Sequence, residues 1–436
     1  MDPGLTELNL ASELRCGCEP RAEAMSEDQR EPLSEYRRRR AAANRLQGEE
    51  RRQEKLASLR ARNELVRDFV ALSLRRSLRS AGDDRDALGW FWFNHFNVFW
   101  GKGLVGAALP SYVEDAIRPN ALEQFRDLLL ATMLHPAMLV YLDNERNTVG
   151  KTNENYAREL LELHTLGVNG GYSQADVQET ARVLTGFGLR SLRPIKWSAK
   201  EQGLVVERGE FLFNPRGHDF GDKRVLGQTI AGAGYSEAET LADLLVAHPA
   251  TARHVAGRLC LFLVGDEPPQ GVVDAAAKTF TSTRGNIAST VATIREAAKQ
   301  DAGPSRSFKD PYRWVLSSLT LLAGGRAIED VRPVMRWLRA LGEPLYGCTT
   351  PDGYNLSGKH WLSAGQLTQR FEIAREMVGV LPRLLGQPVG CKDLLASDGV
   401  KRLVAQLGGP SSAALAAAPP CERLALMLSS PEFMYW

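Results

Sequence analysis

A mainly α-helical, multi-helical globular protein with a small β-hairpin or loop insert is the fold class this sequence predicts. Three observations predict it. From Glu49 onward most segments carry apolar residues at helical spacing, punctuated by Gly and Pro. The stretch "LVVERGEFLFNPRGHDFGDKRVLGQTI", within about 203–230, instead alternates short β-favouring runs with Gly, Pro and Asn. No fixed-period repeat runs through the chain, which argues against a solenoid. At 436 residues, 44% hydrophobic and 24% charged, the chain has room for one large core or two smaller ones.

Residues 1–48 are polar, carry Pro and Gly and lack periodicity, so the reading there is a poorly ordered segment. Residues 49–89 form an arginine-rich amphipathic helical extension with charges of alternating sign. Its plain role is a solvated helix face. Nucleic acid is the weakest candidate partner, because no aromatics interleave with the arginines and the net charge is only +2. No apolar run is long enough to span a bilayer. The start shows no basic n-region followed by an apolar core, which reads as cytoplasmic, or as exported if the true start lies upstream. Cysteines 16, 18, 260, 348, 391 and 421 fit neither a zinc pattern nor a dense disulfide framework, so free thiols in a reducing compartment are expected. Cys16-Gly-Cys18 is the one pair spaced for a soft metal.

The helical domain then runs from 90 to 436. In "ALGWFWFNHFNVFWGKG" the aromatics go almost all the way round a helical wheel, so a helix here is buried. Asn94 and Asn97 share one side, and His95 lies in an apolar setting that demands a hydrogen-bond partner. Pro136 fits the first turn of a helix and keeps His135 at its cap.

The densest stretch is "NENYARELLELHTLGVNGGYSQADVQETARVLTGF", Asn153 to Phe187. At about 100° per residue, Glu154, Asn155, Arg158, Glu159, Glu162 and Thr165 share one arc, and Tyr156, Ala157, Leu160, Leu161 and Leu163 fill the other. Glu154, Arg158 and Glu162 at i, i+4, i+8 can form a solvated salt-bridge ladder. Asn155, Glu159 and Glu162 at i, i+4, i+7 can instead hold a hard cation or act as acid and base. His164 falls on the apolar arc, as a core histidine does. Ser173 and Asp176 have capping-box spacing, and the Gly170-Gly171 turn predicts an αα-hairpin.

At these residues the chain resembles a bacterial family called domain of unknown function 1800. The pieces that carry the resemblance are "WFNHF", "LHPAMLVYLDNERN", "NENYARELLELHTLG", "GYSQADVQETARVLTGF", "GHDFGDKRVLG", "HPATARHVAGRLCLFLV", the Gly353, Trp361, Arg370 series and "SSPEF", in order from about Trp90 to Phe433. The resemblance implies a mostly helical architecture and no established activity. It matches Asn153, Glu154, Asn155, Arg158, Glu159 and Glu162 to the family's most characteristic motif, His218-Asp219 with Gly221 and Lys223 to another, and His135 to a third. Phe93 stands where relatives carry a histidine, and the family's usual Gly-Phe-Gly opening is missing, its place taken by the arginine-rich stretch. Many relatives look exported. Relatives also tend to be encoded beside a sulfatase-like family, which suggests a protein partner.

Two functions compete. In the first, an acid–base or metal-dependent enzyme of hydrolase or transferase type uses Glu159, Glu162, His218 and Asp219 for catalysis, with Asn155, Arg158 and Lys223 positioning substrate. A divalent metal would be held by Glu159, Glu162 and His218, with His95 and His135 as lesser ligands. In the second, the same polar groups form a buried network in a non-catalytic helical scaffold, and His218-Asp219 pins the hairpin loop. No nucleophile elbow, P-loop or dinucleotide fingerprint is present.

Overall fold

The computed structural model describes residues 33–79, 83–300 and 307–436. The Cys16-Gly-Cys18 pair and most of the segment read as poorly ordered lie outside the described residues. Within that segment, Leu33–Ala43 forms helix α1. The 32-residue helix α2, Gly48–Arg79, follows, exposed at its start but burying Val66, Phe69, Val70 and Leu74 toward its end.

Helix α3, Asp84–His95, is capped by the Asp83 carboxylate, which accepts from the Arg85 amide at 2.8 Å. Phe91, Trp92 and Phe93 are all buried, as an aromatic belt on every side of the wheel requires. Phe93 packs edge-on to Tyr346 and Tyr112, so the position where relatives carry histidine is part of the aromatic core. Helix α4, Val105–Ser111, runs into a π-helical turn, Tyr112–Ile117, and packs on α2. Helices α5, Phe125–Met133, and α6, Pro136–Tyr141, complete the layer beneath the charged helix.

The charged segment is two pieces. Helix α7, Glu154–Glu159, continues without a break into a π-helical stretch, Leu160–Thr165. Asn153 is the cap, its side chain accepting from the Asn155 amide at 3.1 Å. Gly167 turns the chain out at φ +81°, and a Cβ there would lie 2.9 Å from His254 Nδ1, so only glycine allows the next layer so close. Helix α8, Gln174–Val183, opens with the expected capping box between Ser173 and Asp176 and packs antiparallel to α7 as a hairpin.

Strands are few and three residues long among the described residues. Strands β1, Phe187–Leu189, β2, Val206–Arg208, and β3, Phe211–Phe213, form an antiparallel sheet in the order β1-β3-β2, with Phe187 and Val206 both opposite Phe213. Strands β4, Lys223–Val225, and β5, Gln228–Ile230, make a separate hairpin turned at Leu226 and Gly227, both at positive φ. The strand content thus begins at Phe187, ahead of the 203–230 insert. Three-residue strands are too short to show alternation, which is why β1 is silent in the sequence.

Beyond a short helix, α9, Ala199–Gln202, the chain returns to helices: α10, Ser236–Ala247; α11, Pro249–Leu263; α12, Gln270–Ser282; α13, Ile287–Gln300; and α14, Pro311–Ala323. Shorter helices follow to the end of the chain, with one long one at Ala364–Leu384. The buried side chains form one connected core from Leu33 to Met434, to which α2 contributes Val66, Phe69, Val70 and Leu74. No helix among the described residues is long and apolar enough to cross a membrane.

One sequence expectation is corrected here. Cys391 and Cys421 form a disulfide between two C-terminal helices, whereas Cys260 and Cys348 are free and buried. The pair is separated by 30 residues and carries no motif, so spacing alone does not reveal it.

Candidate functional site

The sequence-predicted residues fall into two separately hydrogen-bonded groups. The first centres on His218, which is buried with both ring nitrogens engaged. Nε2 lies 2.8 Å from Glu237 Oε1, and Nδ1 lies 2.8 Å from the Thr185 carbonyl oxygen and 3.2 Å from its hydroxyl. The second Glu237 oxygen takes Lys223 Nζ at 2.5 Å, and Lys223 also reaches the Asp219 carbonyl. Glu237 further accepts the amides of Ala233 and Gly234, each at 2.9 Å. Every polar atom of this buried triad has a partner, and the side chains of His218, Lys223 and Glu237 are fully shut from solvent. Such a network ties the β4 hairpin to the start of α10, shut from solvent.

Asp219 belongs to the same construction. Its carboxylate pairs with Arg182 of α8 at 2.8 Å and accepts the Gly221 amide at 2.9 Å, and the Arg182 contact holds it well below the usual carboxylate range, at about 2. Arg182 is also gripped by Glu179, while Glu179 and Asp176 accept the backbone amides of Arg224 and Leu226. The polar face of α8 is therefore spent on docking the hairpin. Glu237, the hub, went unnoticed in sequence because it reads as an ordinary acidic residue in the first turn of α10.

The second group lies on α7 and its π-helical continuation. Glu154 and Arg158 make the expected i, i+4 pair at 3.5 Å, and Gln174 bridges them, accepting from Arg158 at 2.8 Å and donating to Glu154 at 2.6 Å. Glu162 accepts a hydrogen bond from the Tyr172 hydroxyl at 2.8 Å, across the glycine turn. Asn155 is exposed and reaches only the Leu142 carbonyl, at 3.4 Å. Glu159 is half-buried and makes no hydrogen bond or ion pair with any described residue. Burial, then the charges of Glu162 and Asp352, push its carboxyl above the ordinary glutamate value, against the pull of Arg158. No hydrogen bond or ion pair among the described residues joins this group to the His218 group.

Asp352 is the residue that sequence reading missed, and the structure shows how it is placed. Asn94 donates to the Tyr354 carbonyl at 2.8 Å and accepts the Tyr354 amide at 2.6 Å. Asn97 donates to the carbonyls of Cys348 and Thr350 at 3.1 and 2.7 Å. The Tyr141 hydroxyl of α6 adds a bond to the Thr349 carbonyl at 2.9 Å. The two asparagines of the aromatic motif thus act as a clamp on residues 348–354. Gly353, at φ +74°, lies so close to Asn94 that any side chain would collide with its carbonyl oxygen. Gly353 was the available signal, since a motif glycine often marks a tight backbone approach.

Three histidines pack around the π-helical stretch that follows Glu159. His95 Nε2 donates to the His164 carbonyl at 3.1 Å, and His254 Nε2 donates to the Leu163 carbonyl at 3.0 Å. Burial depresses all three imidazoles, His164 to about 3, so they stand uncharged. His135 is a cap, its Nδ1 accepting the Ala137 amide at 3.1 Å, and His248 repeats the device at Pro249. Among the described residues no group of three or more His, Cys, Asp or Glu side chains is placed to hold a metal ion. His218 is sealed in its own network, which shares no hydrogen bond or ion pair with Glu159 or Glu162, His95 hydrogen-bonds within the core, and His135 is occupied as a cap.

Nearly the whole chain, residues 11–435, matches the family model described as a protein of unknown function, DUF1800. The match includes the arginine-rich stretch that the motif reading left outside the resemblance. No curated protein and no solved structure matches the chain.

Proposed function

From the premise that the chain belongs to the DUF1800 family, whose description gives no activity, we propose that its charged helix carries an acid–base site of hydrolase or transferase type. The observation that carries the reading is Glu159. It is a half-buried carboxyl without a hydrogen-bond partner among the described residues, raised by burial and by two neighbouring carboxylates. A carboxyl made reluctant to ionise is suited to deliver a proton, while a neighbouring carboxylate left ionised accepts one. Glu162 and Asp352 are the accepting candidates. Arg158 and Asn155, on the same arc, are placed to position a polar substrate.

The π-helical stretch supports the same reading. It widens the helix directly after Glu159, and such segments cost backbone regularity and recur at functional sites. His218, Asp219 and Lys223 enter this proposal as architecture rather than chemistry. Their saturated network favours, as a second reading for that half of the molecule, the scaffold role in which the loop is pinned for a partner protein.

A panel of ester, amide, glycosidic and phosphoester substrates tests the first reading. Glu159→Gln is expected to lower any activity found by about 10²–10⁴-fold with the fold intact. Full activity in that variant, with stability lost only in His218→Ala, would establish the scaffold instead.

A further inference from the structure

We propose that Arg258 anchors an oxyanion group of the substrate, a carboxylate or a phosphate, where α11 packs against the π-helical stretch that follows Glu159; the proposal rests on the acid–base reading of Glu159. Arg258 sits on α11 one turn beyond His254, and α11 packs against the π-helical stretch that follows Glu159. A guanidinium offers five N–H donors, yet this one makes no hydrogen bond or ion pair with any described residue. Its Nε is sealed from solvent without a partner. An unanswered buried donor on a charged group is costly, and a bound anion would answer it.

The surroundings narrow what that anion is. Two further sealed and unpartnered atoms, His95 Nδ1 and His164 Nε2, belong to the same cluster, and the rings of His164 and His254 lie 6.2 and 6.0 Å from that of His95. Because these imidazoles are uncharged, the positive charge of that cluster is carried by Arg258. Burial lowers its pKa only to about 10, so it remains a cation at neutral pH. Asp352 is the carboxylate whose field reaches it, but the two form no ion pair. A planar fork of donors without a protein partner is suited to grip a carboxylate or phosphate by two oxygens.

Inorganic phosphate and malonate are the two probes, one for each oxyanion, used with the full chain. Phenylglyoxal labelling with peptide mapping should modify Arg258, and one or both probes at saturation should slow that modification about tenfold or more. The rise in melting temperature with the same probe should vanish in Arg258→Gln, persist in weakened form in Arg258→Lys, and occur at lower probe concentration in Asp352→Asn. Labelling of Arg258 that neither probe slows, or an undiminished thermal response in Arg258→Gln, would overturn the anchor. If Arg258→Gln does not fold, labelling of the native protein decides alone. Glu159→Gln should still be protected by the probe, so an inactive Glu159→Gln with no protection in either protein removes the anchor while leaving the acid–base reading in place.

Discussion

His218 Nε2 lies 2.8 Å from Glu237 Oε1, and neither side chain has any exposed surface. Lys223 closes the other oxygen of the same carboxylate. Removing His218 strips one hydrogen bond from a buried carboxylate that keeps Lys223 and two amides, which typically costs about 1–3 kcal/mol. His218→Ala should therefore move the urea midpoint strongly downward, and Glu159→Gln should leave it nearly unchanged. Equal stability of the two variants would contradict the architectural role of the His218 cluster.

The same carboxylate sets a pH dependence. Burial pushes Glu237 up, but the hydrogen bonds from His218 and Lys223 outweigh it and hold the group below the ordinary glutamate value. A carboxyl depressed in the folded state stabilises the fold above its unfolded pKa, about 4.3, and that contribution is lost as pH falls through the folded value. Wild type should lose stability on acidification below about pH 4, and Glu237→Gln should start less stable and show a shallower fall over the same range. Parallel profiles would show that Glu237 titrates alike in both states.

How far the sequence disclosed this site depends on the range of the interaction. Local signals were plain: Asn153 and Ser173 as caps, the hairpin between α7 and α8, the burial of the aromatic motif and the Glu154–Arg158 pair all follow from spacings within one or two turns. The wheel also put Glu159 and Glu162 on one arc, and His164 in the core. What spacing could not supply were meetings across the fold. Glu237 lies 19 residues beyond His218, and Asn94 meets Tyr354 across 260. Nor does periodicity reveal that His218 and Glu159 belong to separate hydrogen-bonded groups, since both motifs are polar and equally suggestive when read one at a time. The Cys391–Cys421 bridge was hidden for the same reason.

The clamp on Asp352 gives a steric prediction. Gly353→Ala places a methyl group against the Asn94 carbonyl at a backbone angle that non-glycine residues disfavour. About 1–3 kcal/mol of strain is expected, or a shift of the loop that relieves it. A shift of the loop moves Asp352 away, so Gly353→Ala should then also lower the Glu159 pKa. A variant with native stability and an unchanged Glu159 titration would show that the close approach is not required.

The disulfide predicts its own contribution. Closing a loop of this length restricts the unfolded chain by about 3–4 kcal/mol in the chain-entropy model. The Cys391→Ser, Cys421→Ser double variant should unfold at lower urea, and mass mapping without reductant should recover the two cysteine peptides joined. Recovery of both as free thiols from oxidatively purified protein would refute the bridge.

The last prediction concerns the group on which the proposed chemistry depends. Glu159 is raised first by burial, next by Glu162 and then by Asp352, while Arg158 pulls it down. Each neighbour therefore has a defined sign: Glu162→Gln and Asp352→Asn should both lower the Glu159 pKa, and Arg158→Gln should raise it. Because burial is the largest cause, the double variant Glu162→Gln, Asp352→Asn should still titrate above an ordinary glutamate. Carbon-13 NMR of the labelled side-chain carboxyl reads all four proteins directly. A pKa indifferent to Asp352 would separate the clamped loop from the helix electrostatically and leave Glu162 as the only charged partner in the acid–base pair.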